Sequence, residues 1–385
     1  MSAPNFLDSV RVLDLSRILA GPLASQILGD MGAEVLKIEH PVAGDDTRGW
    51  GPPFQGDQAA YYQSCNRNKV SLALDLKSES GRAELLRLVA AADLCIDNFT
   101  PDLRQRLGVD AKSLRAHNPD LITVSIATFP DGSGRESERG YDLALQAESG
   151  WIALNGDPDP EAGGYKVGVA VLDILTGMMA SNGALAALFH RERTGEAQCV
   201  AVSLFQTALF SLVNVAMNHL VSGEPTRRWG NAHPNIVPYR DFPCRDRAVV
   251  IGVGNARQYA ELHSILGLSA ESLEWDNTTR MQHRSELCEE IAERTRERGS
   301  DELLEKLKSA GIPCSAILRV DEALSRVPGS VVAIENEVLG PVKTLASPIV
   351  APGMRSEHRP PPALDAGGRE LADRWLGEKR GASAW

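Results

Sequence analysis

Short apolar runs and amphipathic stretches alternate over residues 10–126, and this alternation narrows the fold more than any other feature. Val10 to Leu15 (VRVLDL) reads as a buried strand, Pro22 suits the first turn of a helix over Leu23 to Met31, and Glu34 to Glu39 (EVLKIE) reads as the next strand. The same beat returns with strands at Val70–Asp75, Leu94–Ile96 and Leu121–Ile126, separated by helices at Glu79–Ala91, Asp102–Leu107 and Ala111–Ala116. Strands that are apolar on both faces and joined by helices form a parallel sheet with right-handed crossovers. The expectation is α/β: a doubly wound, Rossmann-like large domain whose ligands sit at the carboxyl ends of the strands.

The rest of the chain reads less regularly. A Gly/Pro/Asp-rich loop covers residues 150–168, a helix of small and apolar residues buried nearly all round follows over Thr176–His190, then a strand at Cys199–Val202 and a buried helix at Phe205–Leu220. Glu224 to Pro243 reads as a connector, and beyond it a smaller α+β unit has a strand at Ala248–Val253 and helices at Arg257–Leu266, His283–Glu297 and Asp301–Ala310. From Val332 onward short strands and a Pro/Gly-rich tail are expected. The domains expected are 1–205 with 326–385, a linker helix 206–224, and a small domain 225–325.

Composition excludes several classes. A net charge of −11 argues against a nucleic-acid binder, which needs a basic face. Six scattered cysteines with no CxxC pair point to a reducing, cytoplasmic setting and to no zinc or disulfide framework. No apolar run of about 18 residues reads as a membrane span, and the N-terminus lacks a secretory pattern. Histidines lie at no metal-ligand spacing, so no metal is expected.

Three places invite chemistry, each with a plainer reading beside it. The first βα turn, SRILAGPLASQ, carries one glycine where a dinucleotide site needs G-x-G-x-x-G, and no P-loop occurs. Gly252-Val253-Gly254-Asn255 is either an ordinary strand-to-helix turn with Asn255 near the cap, or backbone that passes close to a ligand. Asp173, before a buried helix, either caps that helix or serves as a nucleophilic carboxylate.

Eight blocks, in order, carry a resemblance: LDLSRILAGPLASQILGDMGAEVLKIEHP, GDDTRGWGPPF, NRNKVSLALDLK, DNFTPDLRQRLG, GYDLALQAESG, VLDILTGMMASNGALAALFHRERTG, GNAHPNIVPYRDF and VGNARQYAELHSILG. Together they span nearly the whole chain, which resembles the class III CoA-transferases (the CaiB/BaiF, formyl-CoA transferase-like family). The resemblance implies that Asp173, in the LD-x-x-TG block, is the nucleophile, and that Gly252, Gly254 and Asn255 form a loop closing over the acyl group. That loop departs from the four-glycine version of formyl-CoA transferases. The resemblance also implies CoA contacts at Arg17, Ile18, Ala20, His40, Leu74, Lys77, Asn98, Phe99, Arg106 and Arg139, with Tyr141 and Asp142 beside the substrate. Arginine is common in the family where this chain has His40.

The implied reaction moves CoA from an acyl-CoA thioester to a free carboxylic acid, through an aspartyl anhydride and an aspartyl-CoA thioester, with no permanently bound cofactor. The implied assembly is an interlocked homodimer. Leu19 stands where oxalate-using relatives carry glutamine, and the GDDTR–GPPF form resembles members acting on C4–C6 dicarboxylates. A second carboxylate needs a cation, for which Arg48 is the first candidate and Arg17 and Arg240 the next; the plainer reading pairs Arg48 with Asp45 or Asp46. Two rivals remain. An α-methylacyl-CoA racemase needs a histidine where this chain has Tyr141, and a non-catalytic acyl-CoA-binding protein has no use for Asp173.

Overall fold

The computed structural model describes residues 5–351 and 357–378. Its chain divides into two compact units, the first from residues up to 151, 166–213 and 328 onward, the second from 152–165 and 214–327.

The first unit is built on a six-stranded sheet. Its strands are β1 (Arg11–Asp14), β2 (Glu34–Glu39), β3 (Lys69–Ala73), β4 (Leu94–Asp97), β5 (Ile122–Ala127) and β6 (Cys199–Ser203). The order is β3-β2-β1-β4-β5-β6 and every pair is parallel, with Val12 opposite Val35 on one side and Leu94 on the other. The order reverses at β1, so the chain leaves β1 and β4 in opposite directions and opens a crevice beyond their carboxyl ends.

Side chains alternate across this sheet as the strand period requires. Val12, Val35, Leu94 and Ile122 face one layer with α1 (Ala20–Asp30) and α4 (Val171–Thr194), whereas Leu13, Leu36 and Cys95 face the other with α2 (Glu79–Val89) and the C-terminal helix Gly368–Gly377. That terminal helix, which buries Trp375 completely, replaces the loose tail expected from its glycines and prolines. Its signal was Leu371, Ala372 and Trp375 at helical spacing.

α4 departs from expectation in two ways. It starts at Val171, which puts Asp173 inside its first turn. It is also apolar all round but buried on one side only: Leu172, Ala180, Ala184 and Ala187 join the core while Met178, Met179 and Phe189 are exposed. By length and composition this helix could cross a membrane, yet its buried face belongs to the core of the sheet. The expected helix over Phe205–Leu220 is broken, ending at Phe210 and resuming at Val213, whose φ of 42° no continuous helix permits. Beyond the break, no residue of Val213–Ser222 is buried. A further helix, α3 (Asp142–Glu148), was not anticipated.

The second unit has a three-stranded antiparallel sheet in which β8 (Val249–Gly252) lies between β7 (Tyr239–Phe242) and β9 (Cys314–Ala316). Phe242, Val249 and Ile251 pack against Tyr259 and Leu262 of α5 (Ala256–Leu266), and against Leu287, Ile291, Leu303 and Leu307. Residues 152–165 join this unit rather than the first because the Arg228 guanidinium donates to the carbonyls of Asp157, Asp159 and Ala162 at 2.6–2.8 Å. The expected linker span 206–224 is interrupted by the break near residue 213, and the division between the two units falls at residues 213 and 214.

In the first unit α4 lies against the start of α1, and Gly177 is where they meet. A Cβ there would stand 2.6 Å from the Ala20 carbonyl oxygen and 3.3 Å from the Leu23 Cβ. Ala favours a helix over Gly by about 1 kcal/mol, but the obstacle is backbone, which does not yield as a flexible side chain does. Gly177→Ala is expected to lower stability by about 1–3 kcal/mol net. Denaturant unfolding measures it, and a gain in stability would mean the two helices can separate freely.

Candidate active site

The crevice at the reversal point starts from charges under the sheet. Lys37 and Lys69 rise from β2 and β3 into the interior and are fully buried with Asp14 of β1. Lys69 Nζ donates to Asp14 (3.0 Å), to the Pro22 carbonyl (2.8 Å) and to Asn66 (2.9 Å). Lys37 Nζ lies 2.9 Å from Asp45 and donates to the Ser16 carbonyl at 2.8 Å. Burial opposes the charge on Asp14, but Lys69 and Lys37 outweigh it and hold the carboxyl below its ordinary value. Asp14 in turn accepts from the Ser16 backbone N–H and hydroxyl and from the Ser25 hydroxyl, so the turn after β1 is tied down from beneath.

The turn after β4 is stitched to it. The Asn98 amide accepts from the Arg17 N–H at 3.0 Å and donates to the Arg17 carbonyl at 2.8 Å. Asp97, at the end of β4, accepts from the Phe99 N–H and from Ser125 and lies 3.4 Å from Arg104. Its burial pushes the carboxyl up to about 6 against the pull of Arg104.

The resulting crevice measures about 390 Å³. Arg17, Ile18, Ala20, Asn98, Phe99, Arg139, Tyr141 and Asp173 all line it, so eight residues singled out in the sequence come together. Arg139 has no hydrogen-bond or ion-pair partner among the described residues and is exposed, as an anion-binding cation requires. His40, Leu74, Lys77 and Arg106 are not among its lining residues. Leu74 is buried in the core, Lys77 and Arg106 are exposed, and the His40 ring accepts from the N–H groups of Val42 and Ala43.

Asp173 enters from the first turn of α4, and the choice between cap and free carboxylate is decided by its neighbour. Asp142, from the start of α3, accepts from the Leu172 N–H at 2.7 Å and from the Asp173 N–H at 3.4 Å. The Gln146 amide donates to its other oxygen. Asp142 therefore caps α4, and unlike Tyr141 it is not among the residues lining the crevice. The Asp173 carboxylate has no hydrogen-bond donor among the described residues. Burial first, and then the charge of Asp142, push it up to about 7. Tyr61 lies within electrostatic reach: burial, then the Asp173 charge, push its phenol up to about 12.

Arg48 is not the free cation expected. Its guanidinium donates to both oxygens of Glu39 (2.7 and 2.9 Å), to the Tyr62 hydroxyl (2.6 Å) and to the Pro362 carbonyl, and stacks on the Tyr62 ring. Asp45 is already taken by Lys37 and Thr47 and Asp46 by Arg17, so Arg48 pairs with Glu39, which ends β2 beneath the loop and is buried, where only a paired carboxylate is tolerated. Arg17 keeps a half-exposed ion pair with Asp46 at 3.1 Å.

In the second unit the glycine turn follows β8. Asn255 caps α5 by accepting from the Gln258 N–H, and the Gly254 N–H is taken by the Gln258 side chain. At Gly252 a Cβ would crowd the Tyr239 ring at 3.0 Å, so a larger residue there needs the ring to shift. Among the described residues no group of three or more His, Cys, Asp or Glu is placed to hold a metal ion.

The family model of CoA-transferase family III matches residues 7–367. A succinate–glutarate CoA-transferase of Agrobacterium fabrum is 40% identical over 325 residues, covering 82% of this chain and 81% of its own. The human succinyl-CoA:glutarate CoA-transferase is 34% identical, covering 93% and 83%. Among solved structures, a CaiB/BaiF family protein from Brucella suis superposes with a TM-score of 0.83 at 36% identity, covering 97% of this chain and all of that one.

The raised carboxyl of Asp173 has a consequence for stability. In the unfolded chain it titrates near the ordinary value of about 3.9, so between pH 4 and 7 the folded state holds a proton that the unfolded state has lost. Stability therefore falls as pH rises through that window. Asp173→Asn removes the penalty. The variant should match the native protein at pH 4 and gain on it up to pH 7. Above pH 7 it should stay ahead by about 2 kcal/mol, roughly half the full value for three pH units because the group is partly exposed. Equal Tm values at pH 8 would show that the carboxylate is solvated after all.

Proposed function

The chain belongs to CoA-transferase family III, and on that premise we propose that it moves CoA from succinyl-CoA, or a thioester like it, to a C4–C6 dicarboxylate, with Asp173 as nucleophile. The observation that carries the reading is the division of labour between two aspartates. Asp142 takes the helix N–H groups, which leaves the Asp173 carboxylate unbonded in a crevice with Arg17 and Arg139. A carboxylate without hydrogen bonds is a stronger nucleophile than a solvated one.

The Asp173 carboxylate attacks the thioester carbonyl and expels CoA thiolate, giving a mixed anhydride. The thiolate attacks the aspartyl carbonyl, forming an aspartyl-CoA thioester and releasing the donor acid as its carboxylate. The acceptor carboxylate then attacks the aspartyl carbonyl and expels the thiolate again. Thiolate attack on the acceptor's carbonyl yields the new CoA thioester and restores Asp173. Each step exchanges one acyl bond for another, so the thioester's energy is kept. The CoA phosphates would find their cations at Arg139 in the crevice, at Lys77 in the turn beyond β3 and at Arg106 in the helix Pro101–Leu107 that follows β4.

The two glutarate-using relatives support the dicarboxylate. With Arg48 bound to Glu39, the cation for the distal carboxylate is Arg17, which lines the same crevice as Asp173 and whose partner Asp46 is itself half-exposed. The reading includes a cytoplasmic setting and an interlocked homodimer; the uncovered Met178, Met179, Phe189 and Phe210 of the first unit support a protein interface there.

A panel of free acids with succinyl-CoA as donor, read by mass spectrometry of the CoA products, tests the substrate class. Succinate, itaconate or glutarate should outrun monocarboxylates of equal length. Preference for the monocarboxylates would end the dicarboxylate reading. Asp173→Asn should lower transfer by several orders of magnitude, and a tenth of native turnover would remove its role as nucleophile. The attacking form is the carboxylate, so kcat/KM should rise with pH through about 7. Asp142→Asn keeps an acceptor for the Leu172 N–H but removes a like charge, and should move that limb to lower pH. Sedimentation should give a dimer that persists on dilution.

A further inference from the structure

Ile18 occupies a conformation that its side chain disfavours. Its φ is 75°, in the left-handed region where a β-branched residue is an outlier, and it lines the crevice beside Asp173. Something must hold it there. The Ile18 N–H points at the Asp45 carboxylate, 3.3 Å from each oxygen. Asp45 is 1% exposed and sits between Lys37 at 2.9 Å and Thr47, whose N–H and hydroxyl donate at 3.0 and 2.7 Å. Its own N–H donates to Glu39 at 2.8 Å. Burial opposes its charge, while Lys37 and the Thr47 bonds outweigh that and keep the carboxyl below its ordinary value. Asp45 is thus an anion at working pH, anchored on three sides and aimed at one strained peptide on the fourth.

The same carboxylate caps the turn Asp46–Gly49, which leads to Trp50, whose ring packs edge-on against Tyr61 at 5.3 Å. Tyr61 is the phenol that feels the charge of Asp173. Both the turn of Ile18 and the segment carrying Tyr61 are therefore referred to one buried group.

We propose that Asp45 is a positioning residue that holds the Ile18 peptide in its left-handed conformation, so that the turn after β1 is already shaped for the CoA thioester before it arrives. This rests on the reading of the crevice as the CoA site. Binding to a preshaped turn avoids the ordering that a relaxed one would need. Without the carboxylate, Ile18 relaxes toward negative φ and the thioester must restore the turn on each encounter. The loss should appear in KM rather than in kcat, because Asp45 touches neither Asp173 nor the reacting carbonyl. Glycine has no Cβ and adopts positive φ without strain, so Ile18→Gly should make the turn largely indifferent to Asp45.

The test is a cycle of KM and kcat for succinyl-CoA across the native protein, Asp45→Asn, Ile18→Gly and the double variant. Thr47→Val, which removes a bond to Asp45 but not its charge, serves as a structural control. Asp45→Asn should raise KM at least tenfold with kcat within threefold. The same substitution on the Ile18→Gly background should raise KM less than threefold. Thr47→Val should lower Tm and leave KM alone. Equal fold-changes on both backgrounds, or an unchanged KM in Asp45→Asn, would overturn the proposal. If Asp45→Asn leaves too little folded protein, Asp45→Glu carries the same cycle, since it keeps the charge for Lys37 while shifting the carboxylate off the Ile18 N–H. Failure of the native protein to bind succinyl-CoA would remove both readings of the crevice; binding by the native protein with the same KM in the variants would remove only this one.

Discussion

Lys37, Lys69, Asp14 and Asp45 meet beneath the turn after β1, all of them out of reach of water. Four charges in such a place are tolerable only if each is paired and its remaining donors or acceptors are used. That demand reaches outward. Lys69 must find the Pro22 carbonyl, Lys37 the Ser16 carbonyl, Asp14 the Ser16 and Ser25 hydroxyls, and Asp45 the Ile18 N–H. The turn that walls the crevice is therefore held by electrostatic necessity rather than by apolar packing. An apolar core tolerates small displacements, whereas a buried ion that loses its partner does not.

Glycines bring the backbone close enough for this to matter. Gly21 stands so near Ser16 that a Cβ would fall 2.2 Å from the serine Cβ, and Gly177 lets α4 touch the start of α1. The spacing from Asp173 to Gly177 is one helical turn, so the glycine that allows the contact and the carboxylate that uses it lie on one face of α4. The motif LD-x-x-TG has a mechanical sense here: the acid is delivered by a close helix crossing, with Asp142 relieving it of any capping duty.

Two kinds of carboxylate stand out in the first unit. Asp14, Asp45 and Glu39 are buried with cations and stay ionised, and they serve the architecture. Asp173 has no cation beside it, and burial together with Asp142 pushes it up to about 7. A group held out of its comfortable state at the mouth of a crevice is a common sign of chemistry, and here it coincides with an aspartate whose carboxylate has no hydrogen-bond donor among the described residues.

Much of this was legible in the sequence. The period of the apolar runs determined a parallel α/β sheet, and strand boundaries fell within a residue or two of those observed, because buried parallel strands must be continuously apolar. The eight ordered motifs placed Asp173 and the turns after β1 and β4 at one end of that sheet. Charge partners were not legible, because they join residues far apart in sequence whose pairing depends on register: Glu39 with Arg48, Asp45 with Ile18, Asp142 with the start of α4. Lone lysines, Lys37 inside one strand pattern and Lys69 just before another, were the only local hint that ions lay beneath the sheet. A lysine in an apolar run says that a carboxylate must be near, but not which one. Only the tertiary structure decided that Arg48 pairs with Glu39, that Asp142 caps and that Asp173 does not. The local pattern sets which face a side chain takes, whereas the partner it meets there is fixed by how strands and helices pack in three dimensions.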